Sequence, residues 1–140
     1  MAEVAKVRGA DRVGRTMHAA AAELERMADA TAEYGKVLAG AAQGFAPVRT
    51  GRLRASIHAD PPRFVSPMLV SAPVTASAPY ARYVHEGTRP HVIRARRGGA
   101  LRFHWDKVGR EVFFASVQHP GSRANPFMMT AARRVAARQH

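Results

Sequence analysis

The chain has 140 residues, 46% of them hydrophobic, which is enough for one domain with a core and too few for two comfortable ones. It contains no cysteine, which excludes disulfides, thiolate nucleophiles and sulfur-ligated zinc, and suits a reducing compartment. The formal net charge is +12 and uneven: residues 1–35 hold five basic side chains against six acidic, the remainder seventeen against four.

Residues 1–10 read as a flexible N-terminal arm. From Asp11 to Phe45 the pattern is helical. Met17, Ala20, Leu24, Met27, Thr31, Tyr34, Leu38, Ala41 and Phe45 follow a 3-4 spacing and share one stripe, with most charges off it. Such a helix is about 50 Å long, unusual for a small domain. The stripe suits a helix packed on a sheet, or one that overhangs its domain and meets a neighbouring subunit.

Pro47 then breaks the helix, Thr50-Gly51 reads as a turn, and Leu53 and Ile57 sit at i, i+4 on a short helical turn. Phe64 to Val74 is strand-like, its prolines Pro67 and Pro73 suiting edges or bulges. Ser77 and Pro79 signal a helix start, with Ser77 as N-cap and Tyr80, Tyr83 and Val84 on one face. Gly87 fits the residue past that helix, where a left-handed conformation is needed.

The runs HVIRAR and LRFHW flank Arg97-Gly98-Gly99-Ala100, which predicts a hairpin closed at the glycines. Leu101, Phe103 and Trp105 alternate with Arg102, His104 and Asp106, which predicts one buried and one wet face. EVFFASVQ is a further strand, and His119-Pro120-Gly121-Ser122 breaks the chain. Asn125 as cap and Pro126 as first residue open a last helix over 125–138, with Phe127, Met128, Ala131 and Val135 inward. The expectation is one α+β domain: a long N-terminal helix on a small antiparallel sheet spanning 46–124, a short inserted helix and a C-terminal helix.

Chemistry has few footholds. No apolar run approaches the roughly 20 residues that span a bilayer, and Met1 to Arg15 lacks the apolar segment of a signal peptide, so a soluble, intracellularly made domain without membrane contact is expected. His85-Glu86 is not followed by a second histidine at zinc-protease spacing. There is no phosphate loop, nucleophile elbow or dinucleotide fingerprint. Neither metal nor cofactor is expected, and no catalytic group stands out. Arg94, Arg96, Arg97 and Arg102 cluster around the expected hairpin tip as candidates for phosphate or partner contact.

Three segments in order are more telling: PVRTGRLRASI after a long helix, then YARYVHEGTRPH, then HPGSRANPFMMTA leading into a final helix. In this order the chain resembles the small tail-component proteins of long-tailed bacteriophages, the neck or tail-completion group related to lambda protein Z. The resemblance covers about Pro47 to Ala132, with the N-terminal helix also expected; Asp60 to Val70 lies outside its pattern and Arg94 to Arg97 is local to this chain. The positions carried over are Thr50, Gly51, Tyr80, Tyr83, His85, Glu86, Gly87, Thr88, His119, Pro120, Gly121, Pro126 and Phe127.

The resemblance implies a structural virion protein of the head–tail junction, without enzymatic activity or cofactor, made in the host cytoplasm. It implies a homo-oligomeric, hexameric ring on the tail axis that contacts neighbouring connector and tail proteins and helps join a DNA-filled head to its tail. His85, Glu86, Thr88 and Arg89 are then expected to hold a turn or its contact with a neighbouring subunit, and the basic residues to face DNA in the channel. Two rivals stay open: a small basic nucleic-acid-binding module, and a small ribonuclease using His and Glu.

Overall fold

A computed structural model describes residues 9–138; of the expected N-terminal arm, residues 1–8 lie outside the described span. Helix α1 runs over Ala10–Phe45, as the alanine-rich 3-4 pattern requires. Short helix α2 (Arg52–Ala55) follows, then strands β1 (Ile57–Ala59), β2 (Arg63–Ser66), β3 (Leu69–Ser71) and β4 (Val74–Ala76). Helix α3 (Ala81–Glu86) leads to β5 (His91–Arg94), β6 (Leu101–Trp105), β7 (Arg110–Phe114) and β8 (Ser116–His119), and α4 (Phe127–Ala136) closes the order. The class is α+β.

The eight strands make two long antiparallel ribbons. In the first, β1 pairs β4 and β2 pairs β3, with Ile57 opposite Ala76 and Phe64 opposite Val70. Asp60 N–H donates to the Pro73 carbonyl at 2.8 Å, carrying the ladder across the break, and Pro67-Met68 forms the tip. Pro67 is thus a turn residue, and Pro73 sits between two strands, where its missing N–H costs no ladder bond.

The second ribbon corrects the expected hairpin. HVIR pairs with β8, His91 opposite His119, while LRFHW pairs with β7, Leu101 opposite Phe114. The tip is residues 106–109, where Val108 and Gly109 N–H both donate to the Trp105 carbonyl at 2.9 Å. Arg97 and Gly98 do turn tightly, both at positive φ, with Gly99 N–H reaching the Arg96 carbonyl. But Ala95 still bonds Ala115 and Leu101 already faces Phe114, so residues 96–100 bulge from one strand of a continuing ladder. Both stretches turn, but it is the Asp106–Gly109 turn that closes the hairpin, because it brings Leu101–Trp105 and Arg110–Phe114 into five matched pairs. Glu111 and Arg102 pair across that register.

The core is small and made largely of alanine. Ala39, Ala42, Ala46, Leu53, Ile57, Ala81, Phe127 and Ala131 form it, with Leu38, Val74, Val84 and Met128 packed around. On α1 the buried stripe is Gly35, Ala39 and Ala42, continued by Ala46 just past its end, rather than the predicted large residues, since Met27, Tyr34 and Phe45 stay partly exposed. Close approach explains this: a Cβ on Gly35 would lie 3.2 Å from that of Ala72 and 3.5 Å from that of Ala59, so the first ribbon nearly touches the helix backbone. Helix α4 lays Phe127, Ala131 and Val135 against α1, as its spacing predicts. Gln43 Nε2 donates to the Ile57 carbonyl at 2.8 Å and Arg54 Nε to the Gln43 carbonyl at 3.1 Å, tying α2 and β1 to the end of α1. The C-terminal third of α1 is core, as expected for a helix packed on a sheet, and its N-terminal half overhangs, Met17 being 68% exposed.

The expected buried face of β6 is absent from the monomer, since Phe103, Trp105 and Phe114 all remain substantially exposed. The two expected helix caps also fail. Ser77 Oγ donates to the Ser56 carbonyl, and Tyr80 occupies the cap position of α3; Pro126 occupies that of α4, without a side-chain cap bond at either.

Candidate functional site at the meeting of three motifs

Helix α3 is the hub. Its inward face is Ala81, Val84 and His85, and Tyr83, expected on one face with Tyr80 and Val84, is 60% exposed. Thr50 and Gly51, the latter at φ 78°, lie across a groove of about 260 Å³ from Tyr80 and Val84, so the first motif meets the second there. His85 meets the third motif edge-on: its ring lies 5.4 Å from that of Phe127, and Nε2 is buried without a hydrogen-bond partner among the described residues.

Beyond α3 the second and third motifs lock together. Thr88 N–H donates to the Ser122 carbonyl and Ser122 N–H donates back to that of Thr88, both at 3.0 Å, with the two hydroxyls also 3.0 Å apart. Asn125 N–H donates to the Val84 carbonyl at 3.0 Å. Gly87 (φ 75°, ψ 178°) lies in a region only glycine occupies freely, and a Cβ there would sit 2.5 Å from the Ser122 carbonyl oxygen. Gly121 (φ 86°) is tighter, its Cβ meeting the Thr88 carbonyl oxygen at 2.2 Å. Each glycine lets one crossing strand press on the other.

Just below, His91 and His119 stand opposite each other at the foot of the second ribbon, ring centroids 5.1 Å apart. His91 Nδ1 lies 2.8 Å from the Arg89 carbonyl and so carries its proton there, whereas His119 Nδ1 accepts from Gly121 N–H at 3.0 Å and so must be bare. Pro120 removes the N–H that would compete for that acceptor. Glu86 is held by Arg82 Nε at 3.0 Å, and that hydrogen bond first, then the charge attraction, raises the pKa of Arg82. Tyr83, Arg89 and these groups line an open cleft of about 910 Å³.

His91 and His119 are therefore engaged in turns and Glu86 in a local ion pair, and among the described residues no carboxylate pairs with His85, His91 or His119. Among the described residues no three His, Asp or Glu side chains gather as a metal-binding group. The arginines sit apart from this site. Arg94, Arg96 and Arg97 surround the bulge on the side of the ribbon rather than its tip, and Arg102 is taken up by Glu111, with Nη2 at 2.6 Å.

Sequence reasoning carried over His119, Pro120 and Gly121 but missed Ser122, whose backbone and hydroxyl complete the Thr88 crossing. It also passed over the Phe103–Trp105–Phe114 surface, although the alternation that makes it was visible.

Compared with known families, residues 1–87 match the model of the family described as "Bacteriophage HK97-gp10, putative tail-component". The chain belongs to the HK97-gp10-like family. Its role is accordingly that of a phage tail component, a structural protein of the virion. The match takes in α1, the first ribbon and α3, and ends at Gly87, where the chain crosses Ser122. Helix α4 of this family member thus packs back onto the matched α1 from outside it, while the second ribbon departs just past the matched part at the Thr88–Ser122 crossing. No curated protein and no solved structure matches the chain. No helix among the described residues is long and apolar enough to cross a membrane.

Proposed function

We propose that this tail component is a ring-forming neck or tail-completion protein, which sits at the head–tail junction and helps join the filled head to the tail. One observation carries the reading. The accessible surface is 11773 Å² for 15.2 kDa, whereas a compact monomer of that mass has about 7,100 Å². A chain with two ribbons and a half-free helix around an alanine core lacks the cover that subunits of a closed assembly give one another. The three-motif crossing at α3 then serves as the rigid joint from which α1 and the second ribbon project. Thr50, Tyr83, His85, Glu86, Thr88 and Arg89 shape that joint or its neighbour contact. The exposed Arg94, Arg96 and Arg97 supply positive charge suited to DNA in the channel.

Electron microscopy of particles lacking this gene product tests the reading. Filled heads beside unattached tails, or tails with ragged upper ends, are expected. Normally joined, infectious particles would overturn it.

A further inference from the structure

The second ribbon carries an aromatic face that the described residues leave partly uncovered. The β6–β7 register puts Phe103, Trp105 and Phe114 on one side, with ring centroids 6.0 Å (Phe103–Phe114) and 6.2 Å (Trp105–Phe114) apart. With Ser116 and Val117 they form a shallow apolar hollow of about 310 Å³, yet the rings stay 37%, 41% and 40% exposed. Arg110 lies on the same face, opposite Trp105, and Lys107 stands in the tip.

The overhanging half of α1 is the matching uncovered surface. Met17 lies 18 residues, or about five turns, before the buried Gly35, so it continues the core-facing stripe into open solvent. Val13 sits one turn earlier on that stripe and is 60% exposed. Glu25 and Asp29, one turn apart on this helix, make no ion pair among the described residues, and neither do Arg110 and Lys107.

The geometry points to a second copy of this chain as the occupant: the aromatic face of one subunit's second ribbon lies along the N-terminal half of α1 of the next. The inference rests on the ring reading and specifies its contact. A ring contact is heterologous and needs two different patches on every copy, and here one is aromatic beside Arg110 and Lys107 and the other is an apolar helix stripe with Glu25 on its flank. Lengths agree, the helix overhang and the ribbon each running roughly 30 Å. The surplus surface, on the order of 4,500 Å² over a compact monomer, accommodates two interfaces of standard size, about 800 Å² per partner each.

The absence of cysteine provides the test. Particles lacking the gene product are complemented with the full chain carrying Met17→Cys and Phe103→Cys, oxidised, and run without reductant. The monomer band should be lost into a ladder that stops at the ring's copy number and collapses on reduction. Each single-cysteine chain should stay monomeric. A second pair, Val13→Cys with Trp105→Cys, guards against one badly aimed thiol, and a normal yield of joined particles shows that the variants fold. Joined particles that contain the chain but give no ladder with either pair overturn this contact and leave the ring reading standing. A band of foreign mass linked through Phe103→Cys also overturns it, by seating another tail protein on the face. Chain absent from the particles, or particles joined without it, overturns the ring reading and this contact together.

Discussion

Gly121→Ala is expected to cost about 3–6 kcal/mol. The backbone at φ 86° disfavours any side chain by about 1–2 kcal/mol. The new Cβ would lie 2.2 Å from the Thr88 carbonyl oxygen and 2.9 Å from the Arg89 carbonyl carbon, so backbone must give way. The two 3.0 Å Thr88–Ser122 backbone bonds then lengthen or break, at about 0.5–1.5 kcal/mol each, and the Gly121 N–H bond to His119 Nδ1 goes with them. Gly109→Ala is the control. Its φ is 66° but nothing lies within 4 Å, so only the conformational cost of about 1–2 kcal/mol remains. Urea unfolding followed by far-ultraviolet circular dichroism measures both. The difference between the two variants, about 2–4 kcal/mol, isolates the crossing. Equal losses would refute the claim that the second and third motifs press together at Gly121.

Further expectations concern the same crossing and its surroundings. Phe127→Ala empties the largest core site and should lower stability by about 3–5 kcal/mol in the same unfolding assay. Thr88→Val keeps the backbone bridge but removes the hydroxyl contact with Ser122, and a loss of about 1 kcal/mol is expected in the same unfolding assay. Arg102→Ala breaks a pair that is more than half exposed, so thermal unfolding should shift by no more than the roughly 1 kcal/mol that surface pairs give. Raising salt from about 0.1 M to 1 M shortens the screening length from about 10 to 3 Å, and sedimentation should show subunit association weakening.

Local signals were readable where local physics decides. The α1 helix, the inward residues of α4 and the positive φ of Gly51, Gly87 and Gly121 all follow from spacing and glycine position. Long-range register was not readable. Arg97-Gly98 carries as strong a turn signature as 106–109, and only pairing Leu101 with Phe114 and Arg102 with Phe113, next to Glu111, distinguishes them. The α1 stripe was misplaced for a related reason. Hydrophobic weight points to Met27, Tyr34 and Phe45, but the intramolecular contact uses Gly35, Ala39 and Ala42, because close backbone approach favours small residues. The large ones stay partly exposed, a pattern that one sequence alone does not separate from a core. At the site, the sequence supplied Gly87, Thr88, Gly121 and Phe127 but not the reason for them, which is that segments more than 30 residues apart cross there.

The central claim is that this tail component forms a ring at the junction, and a symmetry-averaged cryo-electron microscopy map of the neck of intact particles tests it most directly. The 36-residue α1 is a rod about 54 Å long, recognisable at moderate detail. The account predicts a closed ring of such rods around the tail axis at the head–tail junction, each touching its neighbour's second ribbon. A junction without these rods, or the rods found along the tube or at the far tip, would contradict it.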